Sequence, residues 1–348
     1  KNPLKPNDFY SLQLEYLVQI PSDKFTNYGA TDTGDLNLRY WYITPAIYNG
    51  AWQYYSNKDL DDLFIPSAQV NLEIIFPRDY FLTSELDVSN SYQSSIKQYV
   101  TLKGENTLNN KLFLSKISSF NTIQTDEFSI VSNINNEELE MIDKVLITER
   151  VTKFIQEKFG NYPHKKLLLT EIDYNKDPIY GLNFLPKFIK PYPNHFQYEL
   201  KLLKVALHNY LENTLIINPR TDQWLLDGIQ IYYLMNYVDE HYPDMKFLGS
   251  LAGFWGIRSF HAADMKFNDK YILAYMLMAR TNLDQALTIP KDSLLKFNNS
   301  IANKYKAGVG LKYLDDFINH DIVENSLSSF VVENKLKPVT TKDFETYI

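Results

Sequence analysis

Two neighbouring predicted helices carry the side chains whose types and spacing could do chemistry. Lys204 and His208 are four positions apart, so a helix places them on one face. Asp227 lies in the middle of the next predicted helix, in a stretch that is apolar on nearly all sides. A buried carboxylate is unfavourable unless a cation or a hydrogen-bond donor faces it. The pattern therefore predicts such a partner for Asp227, and spacing alone leaves its identity open.

Standard catalytic motifs are absent from the sequence. It has no H-E-x-x-H, no G-x-S-x-G, no P-loop and no G-x-G-x-x-G after a strand. Its six histidines are dispersed, and no two are four positions apart. Glu212 follows His208 by four positions and could form a His–Glu metal pair with it. Alternatively, His208 has only a packing role in the structure and binds no metal. Asp227 could also be a solvent-exposed carboxylate that needs no partner.

The composition is that of a globular protein and argues against several classes. The chain has 348 residues and is 45% hydrophobic, which suits one large or two ordinary domains of roughly 100–200 residues each. A net charge of −7 argues against a nucleic-acid partner, which requires a basic face. The absence of cysteine excludes disulfides and thiolate zinc sites. No apolar run reaches the roughly 18 residues that a transmembrane segment needs.

The first 134 residues follow the two-residue period of half-buried antiparallel strands. The predicted strands are 10–16, 36–42, 70–76, 111–115 and 128–131. After Ile134 the pattern becomes helical, with a first helix capped by Asn135 or Asn136 and ending near Gly160. A single strand, 166–172, precedes the helices 197–216, 221–240, 268–280 and 298–318. We therefore expect an α+β chain with an all-β domain at 1–134 and a mostly helical domain at 135–348.

The helix that contains Asp227 resembles the second zinc-binding helix of the aminopeptidase N-like gluzincin zinc metallopeptidases. That helix reads W-L-N-E-G-F-A-S-Y in the family, and four of its residues recur here as Trp224, Leu225, Gly228 and Tyr232. The family's glutamate ligand then falls on Asp227. Counting back the family's 19 positions gives His208 for the second histidine of H-E-x-x-H. The first histidine falls on Lys204 and the general-base glutamate on Val205.

Three further segments are similar to family motifs. Residues 159–163 resemble F-G-x-Y-P before a strand, and Tyr305 resembles the tyrosine of Y-E-K-G, which stabilises the tetrahedral intermediate. The substrate-binding motif G-x-M-E-N corresponds to Gly181, Leu182, Asn183 and Phe184. Asn183 then replaces the glutamate that holds the substrate amine. The resemblance implies an N-terminal antiparallel β-sandwich or saddle domain, a thermolysin-like peptidase domain, and a chain that lacks further domains at one or both ends.

The departures from the family affect several parts of its mechanism. A working site holds zinc with two histidines and a carboxylate, and a glutamate takes a proton from the zinc-bound water. Lys204 cannot bind zinc while protonated, and Val205 cannot act as a base. Loss of the base alone removes about 10²–10⁴ in rate. We therefore expect no cofactor, or zinc only if the positions of His208, Asp227 and Lys204 are still competent.

One specific hypothesis is that Lys204 replaces the charge of zinc. Its ammonium would pair with Asp227, with His208 as a hydrogen-bonding neighbour, and truncation of Lys204 would cost about 3–5 kcal/mol.

The resemblance implies a non-catalytic pseudopeptidase that binds a peptide or a partner protein in the cleft between its two domains. One alternative is an active, divergent zinc aminopeptidase that uses His208, Asp227 and Glu212. Another is a scaffold subunit of a larger cell-envelope assembly. Because the family often works outside the cytoplasm, the resemblance also implies an extracytoplasmic location, in the periplasm or cell envelope.

Overall fold

The chain places most of its strands first and most of its helices second. The computed structural model describes residues 5, 8–53, 63–126, 128–182, 190–258, 261–318 and 320–348. The strands are β1 (Gly29–Ala30), β2 (Leu36–Leu38), β3 (Ile47–Asn49), β4 (Ala51–Gln53), β5 (Ala68–Pro77), β6 (Phe81–Ser84), β7 (Asp87–Gln93), β8 (Lys97–Thr107), β9 (Leu112–Ser115), β10 (Asn121–Gln124), β11 (Ser129–Ser132), β12 (Lys166–Leu169), β13 (Ile216–Ile217) and β14 (Pro338–Val339). The helices are α1 (Met141–Phe159), α2 (Glu171–Lys176), α3 (Asn194–Thr214), α4 (Gln223–His241), α5 (Trp255–Arg258), α6 (Asp269–Arg280), α7 (Asn303–Phe317), α8 (His320–Glu333) and α9 (Thr341–Glu345). This order confirms the predicted α+β class.

Two larger antiparallel sheets and the two-stranded hairpin β3-β4 build the described part of the first half of the chain. One has the order β1-β2-β9-β6 and the other the order β5-β8-β7. The apolar side chains of β5 point into the core between the sheets, as the alternation at 70–76 predicts. That small core is formed by Phe76, Leu86, Val100, Leu102, Leu112 and Leu114.

A third sheet joins the two halves of the sequence. Its order is β10-β11-β12, and β11 runs parallel to β12 with Ser129 opposite Lys166. The predicted domain boundary at 134/135 therefore lies between two strands that are neighbours in one sheet. This sheet packs against α3, the helix that carries Lys204 and His208.

The helices share one large apolar core, to which α3 and α4 contribute most of their side chains. α4 and α7 approach each other closely because Gly308 has no side chain. A Cβ added there would lie 2.5 Å from the Cβ of Ile231. This close packing brings the residues of α7 next to Asp227 on α4.

Several predicted boundaries differ from the structure for identifiable reasons. The segment 10–16 is not a strand: it forms no ladder with any described residue, and Tyr10 and Leu12 are 72% and 70% exposed. The strand predicted at 36–42 ends at Leu38, because Tyr40 adopts a left-handed φ of 53°. The strand predicted at 166–172 ends at Leu169, because Thr170 caps α2.

The first helix begins later than the sequence predicts. Its N-cap is Glu140 and not Asn135 or Asn136. The side chain of Asn136 accepts a hydrogen bond from the backbone N–H of Glu138, and this turn precedes the helix. The predicted end is right, since Gly160 follows the last helical residue with a φ of 67°.

None of the helices in the described part of the chain combines the length and the apolar character that crossing a membrane requires.

Candidate functional site

A cavity of about 580 Å³ lies between the β-rich part of the chain and helices α3, α4 and α7. It brings together most residues that the sequence singled out. Those that line it are Gly181, Lys204, Val205, His208, Glu212, Asp227 and Tyr305. Leu182 is buried beside the cavity without lining it. Asn183 and Phe184 lie outside the described residues. We call this cavity the cleft.

Lys204 is held by a carboxylate that the sequence did not single out. Its Nζ lies 2.7 Å from Oδ2 of Asp177, in the loop that follows α2. Lys304, on α7, pairs with the other oxygen of the same carboxylate. Both lysine side chains are buried, at 5% and 8% exposed. The hypothesis that Lys204 pairs with Asp227 is therefore wrong, because the loop after α2 brings Asp177 within hydrogen-bond distance of its ammonium.

The three charges influence one another strongly. Burial lowers the pKa of Lys204 to about 8, although the adjacent Asp177 acts in the opposite direction. Burial also acts to raise the pKa of Asp177, but the ammonium groups of Lys204 and Lys304 outweigh it and hold that pKa well below its usual range. Asp177 is therefore ionised at neutral pH and is shared by two cations.

Asp227 has no ion pair with any residue that the structure describes. Its hydrogen-bond donor is the Gln223 side chain, whose Nε2 lies 3.1 Å from Oδ1. Burial raises the pKa of Asp227. One turn further along α4, Gln230 also lines the cleft and donates from Nε2 to the backbone oxygen of Lys204 at 2.7 Å. Gln230 was not among the residues predicted from the sequence, although a polar residue in this apolar helix was a usable signal.

His208 and Glu212 do not form a compact ligand pair. Nε2 of His208 lies 3.9 Å from Oε2 of Glu212, while Oε1 of Glu212 is 2.8 Å from Nη2 of Arg39. Glu212 is thus held by a cation from the β-rich part of the chain. The described residues contain no group of three His, Cys, Asp or Glu side chains that could hold a metal. A tetrahedral zinc site needs such a set, and Lys204, at the position that the family resemblance assigns to a histidine ligand, is a cation paired with Asp177. The residues of the cleft do not fit a zinc ion.

Val205 and Tyr305, which the family resemblance also singled out, are both buried. Val205 is an apolar wall residue of the cleft. The Tyr305 ring packs edge-on against Tyr271 at 4.7 Å, and its hydroxyl is hydrogen bonded to the backbone of Tyr180. Burial raises the pKa of Tyr305 well above its usual value, so the phenol is protonated at neutral pH.

A second buried polar cluster connects the two parts of the chain behind the cleft. Nζ of Lys111, which immediately precedes β9, lies 3.0 Å from Oδ1 of Asp173 on α2. The carboxylate of Asp173 also accepts hydrogen bonds from the Tyr28 hydroxyl at 3.1 Å and from the Asn209 amide at 3.0 Å. We call these four residues the inter-module cluster. In the sequence, this cluster is indicated only by Lys111, a charged residue next to the apolar residues of β9.

Known proteins match this chain in structure but not in sequence. No protein-family model matches the sequence, and no curated protein is similar to it. An M1 zinc metallopeptidase from Deinococcus radiodurans matches the structure with a TM-score of 0.52 at 10% identity, over 81% of this chain and 60% of that one. A point mutant of that enzyme bound to Tyr-Ser-Ala as substrate matches with a TM-score of 0.53 at the same identity and coverage.

The chain has the fold of the M1 zinc metallopeptidases. It spans 60% of the length of these neighbours. Because a fold supports many activities, the function of this M1-fold chain has to be argued from the side chains of its cleft.

Proposed function

We propose that the chain is a non-catalytic protein of the M1 fold that binds a peptide in its cleft. One observation carries the proposal: the ammonium groups of Lys204 and Lys304 both engage Asp177 in the cleft. Lys204 stands where the family resemblance places a histidine ligand. A zinc ion bound there would face two ammonium groups in a partly dry cavity, where like charges repel strongly.

The general-base position supports the same conclusion. Peptide hydrolysis on this fold needs a group that takes a proton from the attacking water. Val205 fills that position with an apolar side chain that is almost fully buried. Asp177, the closest carboxylate to Lys204, is occupied by two cations and has a pKa well below its usual range. It is therefore a poor base, and the cleft lacks the two groups on which the reaction depends.

The shape and lining of the cleft support peptide binding. A cavity of about 580 Å³ has the size of a small-ligand site, and it contains both charged and apolar walls. The apolar wall includes Ile217, Leu226 and Ile301. Polar groups fix the orientation of a ligand in such a site, while apolar walls supply most of the buried area. A short peptide presents both kinds of surface.

Zinc content tests the loss of catalysis. After incubation with excess zinc and desalting, elemental mass spectrometry should find less than about 0.1 zinc per chain, since a site with one histidine and one carboxylate binds weakly. About one zinc per chain that is lost in Asp227→Ala would overturn the proposal. A variant combining Lys204→His, Val205→Glu and Asp227→Glu serves as positive control, because it supplies three ligands and a base.

Peptide binding is tested by isothermal titration calorimetry with Tyr-Ser-Ala and with longer peptides of mixed sequence. Saturable binding that is lost when the cleft is filled by Leu226→Trp supports the proposed role. Binding that is unchanged in Leu226→Trp would place the peptide site elsewhere.

A further inference from the structure

Among the acidic side chains that line the described part of the cleft, Asp227 is the one without an ion pair to a described cation. Asp177 has two lysines and Glu212 has Arg39, whereas Asp227 receives a hydrogen bond from the neutral Gln223 side chain. No described cation lies within 4.0 Å of Asp227. An ionised carboxylate in a partly buried position is stabilised by a cation or by several donors. Asp227 has neither from the described part of the chain.

An acceptor without a donor among the described residues lies one turn further along α4. Gln230 follows Asp227 by three positions, lines the cleft and is 1% exposed. Its Nε2 donates to the Lys204 backbone oxygen, which fixes the orientation of the amide. Its Oε1 is buried and has no hydrogen-bond donor among the described residues. Buried acceptors are normally paired, so an unpaired one that borders a cavity indicates a missing donor.

We propose that the cleft binds its ligand through a primary ammonium group that docks on Asp227 and Gln230. Such a group brings one positive charge and three N–H donors, which matches a carboxylate and an amide oxygen one helical turn apart. The ligand's apolar part then packs against Leu226 and Ile301, which line the same cavity. This inference rests on the proposed function and names the ligand class of that site.

The other charges of the cleft are consistent with this orientation. The ammonium groups of Lys204 and Lys304 are directed at Asp177, so they do not neutralise Asp227 by direct contact. A cationic group meets an unpaired acceptor without breaking an existing ion pair.

In a peptide, a primary ammonium belongs either to the N-terminus or to a lysine side chain. Both share the chemistry that Asp227 and Gln230 recognise. Three peptides separate these sources: Tyr-Ser-Ala, its N-acetylated form, and N-acetylated Tyr-Lys-Ala. Binding lost on acetylation and not restored by lysine assigns the N-terminus. Binding restored by lysine assigns the side chain.

The test itself uses n-butylammonium and the uncharged isostere n-butanol at neutral pH, with binding measured by saturation-transfer NMR. We expect n-butylammonium to bind and n-butanol to bind at least about tenfold more weakly. Asp227→Asn should weaken n-butylammonium binding about tenfold, and Gln230→Met about threefold. The matched control is Glu240→Gln, which removes an exposed carboxylate from the same helix and should change nothing.

Equal binding of n-butylammonium and n-butanol would overturn the inference, and so would n-butylammonium binding that survives Asp227→Asn. The comparison of the two probes needs no variant, so it decides even if Asp227→Asn fails to fold. If n-butylammonium binds through Asp227 but no peptide binds, the ammonium site stands and the proposed peptide function fails. If peptides bind equally with and without a primary amine, the function stands and the ammonium site fails.

Discussion

The ammonium of Lys204 lies 2.7 Å from the carboxylate of Asp177, and that carboxylate is shared with Lys304. In this chain a lysine–aspartate–lysine cluster therefore stands where the family resemblance places a zinc ligand. The cluster is built from a loop and two helices that are distant in sequence. Its energetics and its protonation can be measured directly.

Removal of one lysine should be less costly than removal of the shared carboxylate. Lys204→Met leaves Lys304 on Asp177, so we expect a loss of about 1–3 kcal/mol in the free energy of unfolding. Asp177→Asn leaves two buried ammonium groups uncompensated and should cost about 3 kcal/mol or more. Urea denaturation at neutral pH measures both. Lys153→Met, at a position 78% exposed, should stay within about 0.5 kcal/mol of the parent. Equal losses for Lys204→Met and Asp177→Asn would contradict the shared arrangement.

The lowered pKa of Lys204 predicts a stability change in the alkaline range. The folded pKa is about 8, whereas the unfolded value is near 10.4, so the unfolded chain binds the extra proton between these two pH values. The contribution of Lys204 to stability should therefore rise with pH from about 8 to about 10.4, by at most about 3 kcal/mol. The measurement is the difference between the parent and Lys204→Met in urea midpoints over this range. If the difference in urea midpoint between the parent and Lys204→Met does not vary with pH, the pKa of Lys204 is not lowered.

The inter-module cluster should make stability sensitive to acid. Burial acts to raise the pKa of Asp173, but Lys111, Asn209 and Arg39 together hold that pKa well below its usual range. Its contribution is therefore present above the unfolded pKa of about 3.9 and is lost as the pH falls below that value.

Asp173→Asn should cost about 3–5 kcal/mol at pH 7, because it leaves the Lys111 ammonium buried and unpaired. The difference from the parent should shrink as the pH falls below about 4, because Asp173 of the unfolded chain then becomes protonated while Asp173 of the folded protein stays ionised. Guanidinium unfolding at several pH values gives both quantities. Asp244→Asn, at an exposed position, is the matched control for the loss of one carboxylate.

Two glycines of α7 should respond in opposite directions to alanine. At Gly308 a Cβ would lie 2.4 Å from Cγ2 of Ile231, so the α4–α7 contact must open, and we expect a loss of about 1–3 kcal/mol. At Gly310 nothing lies within 4 Å, so Gly310→Ala should gain about 0.4–1 kcal/mol from its better helix propensity. Thermal unfolding of the two variants compares them. A stabilised Gly308→Ala would contradict the close packing.

The parts of the fold that the sequence predicted best are those whose pattern reflects burial on one face. Strand β5 and helices α3 and α4 were found because their apolar residues face a core inside the same chain. The segment 10–16 has an equally clear alternation, yet it is exposed and unpaired with the described residues. Alternation shows that a segment could form a strand, but only a partner strand makes it one.

The site could be predicted in part for a related reason. The four-residue spacing placed Lys204 and His208 on one helix face, the family resemblance associated Asp227 with them, and all three line one cavity. The partners Asp177 and Lys304 come from a loop and from a helix about a hundred positions away, and nothing in their local sequence marks them. Whether two charged residues form an ion pair depends on the tertiary structure that brings them together. The periodicity of apolar residues along the sequence gives no information about it.

The inter-module cluster also bears on how fast a ligand can enter. Behind the cleft, Tyr28 and Lys111 of the β-rich side contact Asp173 of the helical side, which Asn209 also contacts. Drawing the two walls apart would expose a carboxylate and an ammonium that now compensate each other in a buried setting, at an activation cost of several kcal/mol. Ligand association should therefore be a single bimolecular step whose observed rate rises linearly with ligand concentration. A rate that levels off at high concentration would indicate a slow opening step, which this cross-connection opposes.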